Sequence, residues 1–260
     1  MDYKAILEAM ESIAPASLAE PWDQVGLMIE PTEPEVTRVL LSLDATPAVA
    51  AEAASRGCQF VITHHPLFFH PVERWTGETF EGRTALAFAR AGVGLFAAHT
   101  NLDASPLGTW AALIEAMGLP EGTPLPGFPC GALTVSQTPL SAEALCRRLR
   151  EATGTKRLLS VGPKPETVSR VAVATGSGAE AIPFAGASGA EALITGEMKY
   201  HEALPASFGP LWILEAGHHE TERPVLRFLK KHLQTRLNGV QSRVDILLSE
   251  TETPPEGVFE

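Results

Sequence analysis

Eight histidines occur in 260 residues, and most of them lie just past the end of an apolar run. Three clusters stand out: His64-His65-Pro66, His99-Thr100-Asn101-Leu102-Asp103 and Gly217-His218-His219-Glu220-Thr221-Glu222. Each joins imidazole to a turn or to a carboxylate. A carboxylate has two oxygens and can bridge two ions, whereas an imidazole ordinarily serves one. Imidazole with carboxylate suits Zn, Fe, Mn, Co or Ni better than Ca or Mg alone. Two such ions typically sit ~3.5–4 Å apart and bring the pKa of bound water close to neutrality. A site built this way has coordination positions left open, as a reactive centre does.

Taken singly, each cluster has an ordinary structural explanation. A His-His pair can fill a core or a hinge. Asp103 can cap the helix that follows Pro106. Glu220 and Glu222 suit a helix start, where the dipole favours acids, and Pro224 fits a first helical turn. That last explanation leaves His218 unaccounted for. Convergence of three clusters at strand ends favours a metal centre. Glu197 and His201, in TGEMKYH, are candidates for proton transfer or for supporting the site; the alternative is a capped helix start. Asp44 at a strand end could hydrogen-bond a ligand histidine. Gly176-Ser177-Gly178 could cradle a phosphate, though two glycines in a turn are weak ground for it. His70 and His232 read as structural or surface residues.

The elements that must position these groups can be read from hydropathy. Residues 2–13 form an amphipathic helix with Ile6, Leu7, Met10 and Ile13 on one stripe. Strands are expected at 36–43, 60–62, 93–97, 132–135, 158–161, 168–174, 192–194, 212–214 and 246–248. Helices are expected at 47–55, 83–90, 109–117, 142–152 with Ser141 as N-cap, and a last long one containing 226–233. Strands that are nearly continuous apolar runs, alternating with helices, predict an α/β fold with mostly parallel sheets. The Gly- and Pro-rich stretch 118–128 suggests a boundary between two lobes, 1–125 and 126–250, with 251–260 a loosely held tail. The halves echo one another, with THH and HTNLD in the first and TGE and GHHETE in the second. The expectation is strand ends facing a shared cleft, because open α/β sheets bind ligands at the carboxyl ends of strands.

Bulk properties narrow the partners. Hydrophobic residues make up 45% and charged residues 20%, the range of a globular chain. A net charge of −11 repels phosphate backbones and disfavours nucleic acid. The run Arg147, Arg148, Arg150 reads as a solvated helix face. Three scattered cysteines, Cys58, Cys130 and Cys146, are neither a disulfide framework nor a zinc knuckle, which fits a cytoplasmic setting. The first residues lack the basic and apolar regions of a signal peptide, and no window has the ~20 apolar residues of a membrane span. GxxxxGK[ST], GxSxG and a strict GxGxxG are all absent.

THHPLFF, HTNLDA, TGEMKYHEAL and GHHETE, in this order and with WDQVGL near the start, resemble the Nif-three-like family. Its members are also called GTP cyclohydrolase I type 2 homologues or dinuclear metal centre hexameric proteins. The resemblance implies two interlinked α/β lobes, a two-metal site and a toroidal homohexamer. Carried over by motif, the metal ligands are His64, His65, Asp103, His218 and Glu222, with Asp103 and Glu222 as bridges and His99 close by. No room is left near 118–128 for the middle domain some relatives carry. Gln24 replaces the usual asparagine, and ATGSG is one glycine short of the common turn. The function implied is a metal-dependent hydrolase acting on a nucleotide-like or other small substrate. His99, Glu197 and His201 are its candidate proton-transfer groups. A non-catalytic metal carrier or regulatory scaffold would use the same ligands.

Overall fold

A computed structural model describes residues 1–238 and 244–252. From residue 253 onward, the expected tail lies outside the described residues. The chain forms two compact units. Among the described residues, the first comprises 1–107, 226–238 and 244–252, and the second 108–225. This division differs from the boundary expected at 125/126. The helix at 109–116 groups with the second unit, and the chain returns to the first from Leu226.

The first unit opens with α1 (Tyr3–Ile13), capped by Asp2, whose side chain accepts from Lys4 N. Ile6, Met10 and Ile13 are its buried stripe, as the spacing predicts. There follow β1 (Gly26–Ile29), β2 (Arg38–Ser42), α2 (Pro47–Ser55), β3 (Phe60–Thr63), α3 (Phe80–Ala91), β4 (Gly94–Ala97) and the single turn α4 (Thr100–Asp103). Thr46 caps α2 through Val49 N, with Pro47 in its first turn, where a missing N–H costs nothing. The second unit contains α5 (Thr109–Ala116), β5 (Thr123–Leu125), β6 (Phe128–Ser141), α6 (Ala142–Thr153), β7 (Leu159–Val161), β8 (Thr167–Ala174), α7 (Ile182–Ala187), β9 (Ala192–Thr195), α8 (Tyr200–Ala206), β10 (Trp212–Glu215) and α9 (His218–Glu222). Ser141 caps α6 as expected. Then α10 (Pro224–Leu237) starts in the second unit and continues into the first, where β11 (Asp245–Leu248) completes the sheet.

The first sheet runs β1-β4-β3-β2-β11. All its pairings are parallel except β1 with β4. The second runs β5-β6-β8-β9-β10-β7 and is mixed. Only β8–β9 and β9–β10 are parallel there, so the expectation of a mostly parallel sheet is corrected in this unit. The reason is local: β6 is a 14-residue strand that pairs antiparallel with both β5 and β8, while β7 covers the far edge antiparallel to β10. The parallel strands β2, β3 and β4 are buried at nearly every position, as covered parallel strands are. Their packing partners include Val49, Ala53, Ala85 and Phe88 of α2 and α3. In the second unit, Trp110, Leu145, Leu149 and Trp212 anchor the larger core.

Among the described residues, no helix is long and apolar enough to cross a membrane.

Candidate metal centre

In the first unit, register brings the site together. Ser42, Thr63 and Ala97 are aligned across β2, β3 and β4. Parallel strands end at the same sheet edge, so Asp44, His64, His65 and His99 all emerge there. The ligand-capable atoms of His64, His65 and His99 lie within 4.8 Å of one another. Ring centroids are 4.9 Å apart for His64–His65, 5.2 Å for His64–His99 and 5.6 Å for His65–His99. Asp103, the last residue of α4, puts Oδ1 3.6 Å from His64 Nε2. It does not cap α5; Gly108 occupies that cap without a side-chain bond.

Each ring of the triad is oriented by an oxygen at Nδ1. His64 Nδ1 faces the Ala98 carbonyl at 2.9 Å. His65 Nδ1 faces Asp44 Oδ1 at 2.9 Å, the contact expected of Asp44. His99 Nδ1 faces Asp23 Oδ1 at 2.9 Å. A carbonyl or a carboxylate can only accept, so Nδ1 carries the proton and Nε2 of the neutral ring presents a lone pair. That tautomer is the one a metal-ligating histidine needs, and an oxygen acceptor is what usually fixes it. The donor set therefore fits a divalent ion.

Sequence reasoning passed over Asp23. It lies within the WDQVGL motif, and its carboxylate is buried behind His99. Oδ2 accepts from Thr100 N at 3.0 Å and from Thr100 Oγ1. Burial pushes its pKa up, but the hydrogen bonds from His99 and Thr100 outweigh that and hold it at about 2. Asp23 is thus an anion across the working range. Trp22 and Phe69 stand edge-on to the same His99 ring at 6.0 and 5.8 Å, both exposed.

The second unit repeats the logic with other means. Ala174, Thr195 and Glu215 end three parallel strands in register. Two residues beyond each stand Gly176, Glu197 and Gly217. Glu197 N donates to Gly176 O at 3.0 Å, and Gly217 N to Gly196 O at 2.9 Å. On α9, His218 Nε2 lies 3.1 Å from the buried Glu222 Oε1, and its Nδ1 lies 3.3 Å from Glu197 Oε1. Two ligands of one ion, at about 2.1 Å each, are separated by about this distance. Glu215, at the end of β10, is raised in pKa by burial and by Glu197, against the pull of Arg157.

Glycine makes this packing possible. Gly176 has φ +59°, and a Cβ there would fall on Glu222 Oε1 and sit 3.2 Å from His218 Nε2. A Cβ on Gly196 would meet Gly176 O at 2.5 Å and Thr221 Oγ1 at 2.7 Å. Gly176 N is already donated to Thr221 Oγ1 at 3.1 Å. Gly176 therefore permits close approach of the turn to the His218–Glu222 pair.

His201 belongs to neither group. It is exposed on α8, with its ring edge-on to Tyr200. Glu197 touches His218 but is itself 58% exposed. His70 is exposed, and His232 packs on Phe228.

The chain is similar over its full length to known proteins. A GTP cyclohydrolase 1 type 2 homolog of Clostridium perfringens is 30% identical, with 98% of each chain covered. NIF3-like protein 1 of Drosophila melanogaster is 30% identical, over 96% of this chain and 87% of that one. Among solved structures, a Staphylococcus aureus hypothetical protein superimposes with a TM-score of 0.92 at 24% identity, covering 100% of this chain and 99% of that one. The Duf34/NIF3 (NGG1p interacting factor 3) family matches residues 1–255, and the chain belongs to that family.

Proposed function

We propose that this protein is a metal-dependent hydrolase that holds a pair of divalent ions on His64, His65, Asp103, His218 and Glu222. The observation that carries the reading is the shared arrangement of the first-unit histidines: every Nδ1 is tied to an oxygen, and ligand-capable atoms of the three residues lie within 4.8 Å of one another. Zn, Fe, Mn, Co and Ni suit this donor set. Bound ions would supply Lewis acidity toward a carbonyl or phosphoryl oxygen and activate water near neutral pH.

The chain's own groups supply proton transfer. His99 Nε2 accepts a proton while Nδ1–H stays on Asp23, whose negative charge stabilises the imidazolium that results. Glu197, exposed beside His218, can exchange a proton with solvent. The substrate is a small molecule, nucleotide-like by the names of the relatives. A homohexamer belongs to the same reading. It is supported by Tyr200, Leu204 and Phe208, exposed on and just after α8, a helix that buries none of its residues.

Elemental analysis of the purified protein should give about two ions per chain. His65→Ala and Glu222→Ala should each lower that content. The metal-replete protein should release product from a panel of nucleotides, phosphoesters and cyclic amides. Unchanged metal content in both variants overturns the ligand assignment. Full metal content without turnover overturns the hydrolase and favours a carrier. Light scattering should report about six times the 27.7 kDa chain mass.

A further inference from the structure

After β11 the chain does not leave the first sheet. Leu248 pairs with Leu41, and Ser249 N still donates to Leu41 O at 2.9 Å. The main-chain ladder with β2 then stops, one rung short of Leu43. A side chain supplies that rung: Glu252 Oε2 accepts Leu43 N–H at 2.8 Å and lies 2.9 Å from Ser42 Oγ. Ser42 Oγ is also 3.0 Å from Asp44 O, so its single proton is shared between two acceptors. The Leu43 N–H, in contrast, has one unambiguous use.

Residues 42–44 are also what holds the histidine pair. Ser42 O accepts His64 N–H at 3.2 Å, and Leu43 O accepts His65 N–H at 2.8 Å. Asp44 Oδ1 takes the His65 ring at 2.9 Å. Leu43 is therefore held at its N–H by Glu252 and holds the His65 N–H with its carbonyl. The segment bearing Glu252 is itself tied down. The buried Glu52 carboxylate accepts from Ser249 Oγ at 2.6 Å, Glu250 N at 2.9 Å and Thr251 Oγ1 at 2.7 Å.

We propose that Glu252 is a positioning residue for His65, acting through the main chain of Leu43 and through Asp44. The inference rests on the proposed role of His65 as a ligand. Its physical content is preorganisation: a ligand ring held in place before the ion arrives binds more tightly than one that must be ordered by it.

Titration of the metal-free full chain with Co(II), followed by its visible absorption, separates the possibilities. Glu252→Ala should weaken Co(II) binding about tenfold and alter the band shape, the scale seen when a ligand's support is removed. Glu252→Gln keeps an oxygen for Leu43 N–H and should stay within about threefold of the unsubstituted chain. Thr251→Val removes one of the Glu52 hydrogen bonds that tie the segment down and leaves the Glu252–Leu43 contact in place; it should lower Tm and weaken Co(II) binding no more than about threefold. Equal Co(II) affinity and spectrum in Glu252→Ala overturns the inference alone. So does a loss in Thr251→Val as large as in Glu252→Ala, which would make the effect one of general stability. No saturable Co(II) binding by the unsubstituted chain overturns the metal reading, and the inference with it.

Discussion

The two candidate ligand groups are built at corresponding places and held by different forces. Both sit just past three parallel strands in register, at β2-β3-β4 in one unit and β8-β9-β10 in the other. In the first, each ring is aimed by a directional hydrogen bond to Ala98 O, Asp44 or Asp23. In the second, the His218–Glu222 pair is fixed by lack of space, pressed on the bare Cα of Gly176. Hydrogen bonds tune the tautomer and tolerate small shifts. Steric closeness tolerates almost none. Substitution should therefore grade the first group and break the second.

Gly176→Ala should have the largest effect. It adds a methyl where Glu222 Oε1 lies, on a backbone at positive φ, and should cost roughly 3 kcal/mol or more. Metal content should fall with it. A thermal melt within a degree of the unsubstituted protein, with full metal content, would mean the glycine is only a turn residue.

Acid should separate the two regions next. The two carboxylates held at about 2, Asp23 and Glu52, both belong to the first unit. Burial pushes Glu52 up, and the hydrogen bonds from Ser249, Thr251, Glu250 and Arg56 more than reverse it. A folded pKa below the ordinary 4.5 means stabilisation that is complete above that value. It is lost as pH falls from there toward about 2. Hydrogen exchange between pH 5 and 3 should therefore show the first unit loosening before the second. Glu52→Gln should cost about 2 kcal/mol near neutrality and flatten that dependence. A Gln variant as acid-sensitive as the parent would assign the slope elsewhere.

The finest distinction lies between the two supporting carboxylates. Asp44→Ala should weaken metal binding about tenfold. Glu197→Ala should cost only a few-fold, because Glu197 is the more exposed partner, at 58% against 40% for Asp44. Both should leave Tm nearly unchanged. Calorimetric titration giving the reverse order would show that solvent exposure is a poor guide to support here.

Much of the first unit was legible because its signals are local. Pro47–Ser55 needs only a Thr cap, an N1 proline and small residues, and its bounds were read correctly. The His-rich strand ends were visible because apolar runs stop abruptly before them. What escaped depends on contacts remote in sequence. β1 carries a glycine and no alternation, and its partner β4 lies about 70 residues on. Asp23 matters through His99, at a separation of 76 residues, and Glu252 through Leu43, at 209. Gly176 was legible as a turn, but the atoms it makes room for come from α9. His201 looked equivalent to its neighbours in TGEMKYH, yet α8 carries it to the surface.

The pairing of β11 with β2 also dictates when the protein can be finished. Residues 108–225 emerge from the ribosome as one uninterrupted stretch and can fold as soon as they are clear of it. The first unit cannot complete its sheet so early. Its opening 107 residues must wait, with the β2 edge unsatisfied, until residue 248 has been made. An exposed parallel edge held open that long invites pairing with the wrong chain. The half that begins synthesis first is the half whose sheet is completed last.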